Sequence, residues 1–85
     1  MEFCKGELVV CTAGREKERL MCVLAFDEKY VYLCDGKERK LENPKRKNPK
    51  HVEKTGEQIS DIMCSTDRAL RKALSKEVNL WQNKT

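Results

Sequence analysis

The sequence predicts a small, mainly β domain with added α structure: an antiparallel barrel of short strands followed by a C-terminal helical hairpin. Three observations carry this. The first half holds short apolar and β-branched runs separated by glycine and polar turn signals. No helical segment lies between those runs, which excludes a parallel sheet with crossover helices. The second half changes period, with apolar residues recurring at steps of three or four. At 85 residues, 39% hydrophobic and 38% charged, the chain has room for one small domain with a modest core. That argues against a large enzyme with a deep pocket. The expected division is residues 1–54 for the barrel and 55–85 for a helical extension packed on it.

Each element has its own signal. Leu8-Val9-Val10-Cys11-Thr12 reads as the first strand, bounded by Gly6 and by Ala13-Gly14. Leu20 to Phe26 reads as the second. Asp27-Glu28-Lys29 is a polar break before Tyr30-Val31-Tyr32-Leu33-Cys34, where Val31 and Leu33 share one face and the tyrosines the other. Asp35-Gly36 follows, the dipeptide favoured in a two-residue hairpin that needs positive φ, so Lys37-Glu38-Arg39-Lys40-Leu41 is the expected return strand. A last short strand is expected around His51-Val52-Glu53. In the second half, Ile59, Ile62 and Met63 fall at helical spacing within 57–64, and Ser65-Thr66-Asp67 supplies capping residues. Leu70, Ala73, Leu74, Val78 and Trp81 then form one apolar stripe, with Arg68, Arg71, Lys72 and Lys76 on the opposite face. The stripe is expected to cover the open side of the barrel; the alternative is a detached, partner-binding helix.

The formal net charge of +4 hides an asymmetry. Residues 1–36 sum to −2, residues 37–54 to +5 and residues 55–85 to +1. Clustering of this kind makes a local positive potential that attracts polyanions. Asn43-Pro44 and Asn48-Pro49 restrict the backbone around Lys45-Arg46-Lys47 and Lys50. Residues 43–51 therefore read as a semi-rigid basic arm, which loses less entropy than a floppy one on meeting a phosphate backbone.

Five cysteines, Cys4, Cys11, Cys22, Cys34 and Cys64, are an odd number with no close pair, unlike a disulfide framework or a zinc site. Cys11, Cys22 and Cys34 sit in apolar segments and read as small core residues. Cys64 lies just before a helix start, a setting suited to redox control, but ordinary burial is the simpler reading. No metal and no cofactor are expected. Catalysis is not expected either: His51 as acid or base, Cys64 as nucleophile and Asp35 as orienter are scattered, and no phosphate-binding glycine loop or nucleophile elbow is present. No apolar run approaches the roughly 20 residues of a membrane-spanning helix. The N-terminal residues also lack the pattern of a secretory signal. The expectation is a soluble, cytoplasmic protein, monomeric when free and without a membrane partner.

Gly6-Glu7-Leu8-Val9-Val10, then Ala13-Gly14-Arg15 and Lys17, followed by the strand to Phe26, resembles a KOW motif. Asp35-Gly36-Lys37-Glu38-Arg39-Lys40-Leu41 and Asn43-Pro44-Lys45-Arg46-Lys47-Asn48-Pro49-Lys50-His51 extend that likeness. Together they resemble the small bacterial KOW-domain RNA-binding proteins, relatives of large-subunit ribosomal proteins of archaea and eukaryotes, over roughly residues 5–53. The resemblance implies an SH3-like barrel that binds RNA, most naturally ribosomal RNA of the large subunit. It implies that Gly14 permits the tight turn into the loop, as Asp35 and Gly36 do at theirs. It also implies that Arg15 and Lys17 are displayed for phosphates, and that Lys45, Arg46, Lys47, Lys50 and His51 line the arm. Glu18 stands where that family commonly has a second glycine. Arg19, Arg39 and Lys40 complete the candidate basic set, and arginines add bidentate phosphate contacts and base stacking. Tyr30 and Tyr32 are candidates for stacking on unpaired bases or for packing under the helices. Against this stands a protein-interaction module, or a transcription or translation accessory factor, working through the barrel and the helical stripe.

Overall fold

The computed structural model describes residues 2–82, the side chains of 79–82 excepted. Five strands form one antiparallel sheet: β1 (Glu7–Cys11), β2 (Leu20–Phe26), β3 (Val31–Cys34), β4 (Lys45–Lys47) and β5 (Val52–Gln58), in the order β4-β3-β2-β1-β5. A 3-10 turn at Pro49–His51 joins β4 to β5, and a second at Asp61–Cys64 leads into helix α1 (Asp67–Gln82).

The sheet is open, which corrects the expected closed barrel. β4 and β5 form its two edges, with no ladder between them among the described residues. It is nonetheless curled. Flat, its outer strands would lie about 19 Å apart, four spacings of about 4.8 Å. The link from Lys47 to Val52 reaches at most about 17 Å even when extended, and a 3-10 turn shortens it. Pro49 has no N–H to give to a ladder, and β4 is only three residues long, so the edges approach without pairing.

A single C-terminal helix replaces the expected helical hairpin. Residues 57–64 hold the end of β5 and the second 3-10 turn instead of a first helix. Thr55 accounts for part of this, because its hydroxyl donates to the Leu8 carbonyl (2.9 Å) and accepts from the Glu57 N–H (3.1 Å). Those bonds hold the chain on the β1 edge. Gly56, at φ +87°, lets the strand kink there.

The return strand is also displaced. Asp35 accepts from the N–H groups of Lys37 and Arg39 (both 2.9 Å), and the Arg39 carbonyl accepts from Asp35 and Gly36. This side-chain competition takes the donors a ladder would need. Residues 37–44 become a loop and pairing resumes only at β4, with Val31 opposite Lys47 and Leu33 opposite Lys45.

The two faces of the sheet bury separate clusters, as period-two alternation requires. Phe3, Val9, Cys11, Met21, Val23, Val31, Leu33 and Val52 fill the concave side. Leu8, Leu20, Cys22, Cys34, Ile59, Cys64, Leu70 and Leu74 pack the other side under α1, with Ala73 and Val78 at the margin. The expected stripe thus meets the sheet, while Trp81 lies outside the described side chains. Thr66 caps α1 by accepting from Ala69 N (3.1 Å), and Asp67 holds the Leu41 N–H (2.7 Å). Among the described residues no helix is long and apolar enough to cross a membrane.

Cys11, Cys22, Cys34 and Cys64 are buried and Cys4 is exposed, none of them disulfide-bonded. Burial pushes the Cys34 thiol up to about 12 and raises that of Cys22 further. The Cys22 and Cys64 sulfurs lie 3.8 Å apart. Among the described residues no cluster has the ligands for a metal ion.

Candidate nucleic-acid interface

The loop between β1 and β2, residues 12–19, carries Gly14, Arg15, Lys17 and Arg19. Gly14 adopts φ +82°, the left-handed region that glycine enters without steric cost. Three contacts tie this loop to the chain around β4. The Lys47 ammonium donates to the Ala13 carbonyl (2.6 Å), Thr12 N–H donates to the His51 carbonyl (2.8 Å), and Lys45 pairs with Glu16 (3.8 Å). A fourth contact gathers in the segment after β3, because Arg19 makes a two-pronged bond to the Glu38 carboxylate. That bond holds Glu38 below its ordinary carboxylate range and raises Arg19. The two basic segments, far apart in sequence, therefore touch.

Within that gathering the predicted residues divide into two groups. Arg15 and Lys17 are exposed, as are Lys40, Arg46, Lys50 and His51, and Arg39 is half-buried. Among the described residues none of these seven is in an ion pair. Lys45 and Lys47 point the other way. Both oppose core residues of β3, Lys47 is only 7% exposed, and their ammonium groups are engaged by Glu16 and Ala13. An arm displaying every charge along a line is therefore replaced by a three-residue strand in which alternate residues face opposite sides. Arg46 takes the outer side, its guanidinium carbon 4.6 Å from the centroid of the Tyr30 ring. Asp35 and Gly36 lie beneath α1, where Gly36 at φ +76° gives the helix backbone room.

Glu16 was not singled out by the sequence, since it looks like one more surface charge between Arg15 and Lys17. It is 4% exposed and supplies the counter-charge that draws Lys45 inward. From the sequence alone, Asp27 is only part of a polar break. Its carboxylate accepts from Lys29 N (2.8 Å), Tyr30 N (2.7 Å) and the Tyr32 hydroxyl (2.9 Å). Those bonds, the backbone ones foremost, hold Asp27 below its usual pKa, and the Tyr32 phenol is raised in turn. An aspartate immediately before a tight turn was the signal available for this role.

Glu18 adopts φ +71°, the one non-glycine residue with positive φ among those described. The backbone there takes a conformation that glycine enters without steric cost. Glu18→Gly is expected to raise stability by up to about 1 kcal/mol, the scale of left-handed strain at a residue bearing a Cβ. A higher urea midpoint checks this; a lower one would show that glycine's unfolded-state entropy outweighs the strain.

A comparison of the chain with protein-family models and with curated proteins finds no match.

Proposed function

We propose that this protein binds RNA, docking on structured ribosomal RNA of the large subunit by backbone contacts, as the KOW-like residues imply. The observation that carries the reading is the convergence of the β1–β2 loop and the β4 region. It brings the loop that carries Arg15 and Lys17 against the segment that carries Arg46, Lys50 and His51, and among the described residues none of these five is in an ion pair. Each lysine or arginine that neutralises a phosphate releases counterions, so affinity falls with salt in proportion to the contacts made. Phosphate contacts position the protein without reading sequence. The cytoplasm is the compartment this reading expects.

The test is sedimentation of the tagged protein through a gradient of cell lysate at low and high salt, beside an Arg15/Lys17/Arg46/Lys50-to-Gln variant. These four side chains are chosen because their loss breaks no ion pair among the described residues. Wild type is expected to travel with the large subunit at low salt and to be stripped at high salt, while the variant stays at the top. Wild type remaining at the top under both conditions would remove the ribosomal assignment.

A second reading has its own observation. Ile62 is 81% exposed and Met63 46%, side by side on the turn before α1. That favours a protein contact in an accessory factor, through a surface distinct from the basic segments. Ile62→Ser would then abolish an association that the four-glutamine variant retains.

A further inference from the structure

Tyr32 of β3 and Tyr30 just before that strand are not covered by α1. Val31 and Leu33 are fully buried, so Tyr30 and Tyr32 emerge on the opposite side. Helix α1 covers Leu8, Leu20, Cys22 and Cys34 on that side, and neither tyrosine belongs to the cluster beneath it. The cross-strand neighbours of Tyr32 are Arg46 on β4 and the small, exposed Ala25 on β2. A small neighbour leaves room beside the ring. The result is an open cleft of about 370 Å³ lined by Asp27, Glu28, Lys29, Tyr30, Tyr32 and Arg46.

Its parts are held in place without a ligand. Asp27 accepts from the Tyr32 hydroxyl and from two backbone N–H groups of the turn, fixing the ring and the turn together. Arg46 stacks over Tyr30 and carries its charge to the cleft. Glu28 and Lys29 are shared with a second cleft of about 360 Å³, completed by Asn48, Pro49 and Lys50. Asn48 caps that 3-10 turn by accepting from Lys50 N (2.9 Å), which fixes the backbone carrying the Lys50 ammonium. An aromatic and guanidinium platform thus continues into a shelf with two lysines. Asp27 and Glu28 bring two negative charges against the three positive ones of Lys29, Arg46 and Lys50.

We propose that this pair of clefts binds an unpaired nucleotide of a single-stranded RNA segment, its base on the Tyr32–Tyr30–Arg46 platform and its flanking phosphates on Lys29 and Lys50. The inference rests on the RNA-binding reading and adds to it a site for unstacked bases. Aromatic and arginine planes accept the π-face of any base, so the site is tolerant of sequence. Duplex RNA keeps its bases stacked inside and engages only the lysines.

The experiment titrates the full chain against a short unstructured RNA oligonucleotide, against the same oligonucleotide annealed to its complement, and against a nucleoside monophosphate. Tyr32→Ala is expected to weaken single-strand binding by roughly 5- to 100-fold, the effect of losing one base stacked on an aromatic ring. Duplex binding should stay unchanged. Tyr32→Phe keeps the ring and should restore the affinity. Tyr32→Leu, with its apolar bulk, should not, and guards against a folding defect in the alanine variant. Lys50→Gln should weaken both forms and flatten the salt slope by about 0.7 on the single strand. Wild-type affinity for the single strand in both Tyr32→Ala and Tyr32→Leu would overturn the platform while leaving RNA binding intact. A mononucleotide competing as strongly as the strand would overturn the strand assignment. Binding of wild type to neither RNA form would overturn both readings.

Discussion

Gly36→Ala is expected to lower stability by about 2–4 kcal/mol, a large share of what so small a domain possesses. Gly36 lies at φ +76°, and a Cβ built there runs into the Asp67 carbonyl and comes to 3.0 Å from Arg71 N. Both obstacles are backbone in the first turns of α1, so neither swings aside as a flexible side chain would. Left-handed strain contributes about 1 kcal/mol and the enforced separation of helix from sheet a further 1–3. Gly56→Ala is the control, because φ is similarly positive (+87°) but nothing lies within 4 Å of the new Cβ. It should cost only the strain. Urea midpoints of the two variants measured together decide it, and equal losses would mean that contact between Gly36 and α1 contributes nothing.

Lys47→Glu is expected to destabilise the fold by about 3–5 kcal/mol, the scale for leaving buried charge uncompensated. The lysine is 7% exposed, donates to the Ala13 carbonyl at 2.6 Å, and acts with Glu16 on the same Cys11 thiol. A carboxylate there would face a carbonyl oxygen. Lys47→Met keeps the stem but leaves the Ala13 carbonyl unpaired, for about 1–3 kcal/mol. Arg46→Glu, one residue away on the outer side, should change stability little. Denaturation of the three variants separates them; similar losses at 46 and 47 would refute the inward orientation of Lys47. Charge reversal of Lys45-Arg46-Lys47 as a block is consequently a poor probe of RNA binding, because it would dismantle the strand that displays Arg46.

Local pattern was readable where one face of a strand is buried. The alternation of Val31 and Leu33 with the tyrosines, the extent of Leu20–Phe26 and the apolar stripe from Leu70 to Val78 all follow from periodicity, and the structure places them accordingly. Where side chains compete with the backbone, periodicity misled. Asp35 captured the donors of the expected return strand, and Thr55 kept residues that looked helical on the β1 edge.

The candidate site shows the same division. That residues 37–54 are basic, that prolines confine them and that Gly14 must turn were legible from residue identity alone. Which of the basic groups face solvent was not. Lys45 and Lys47 differ from Arg46 only by strand parity, and parity has no meaning until β4 pairs with β3. Likewise Glu16 becomes a counter-ion, and Asp27 the anchor of Tyr32, only when folding brings their partners within hydrogen-bond reach. Composition and local propensity act over a few neighbouring residues, so the sequence by itself determined the first three strand segments, helix α1 and the basic character of residues 37–54. Sheet order, the open edges, the single helix and the sorting of charges depend on contacts between distant residues, and tertiary structure alone decided them.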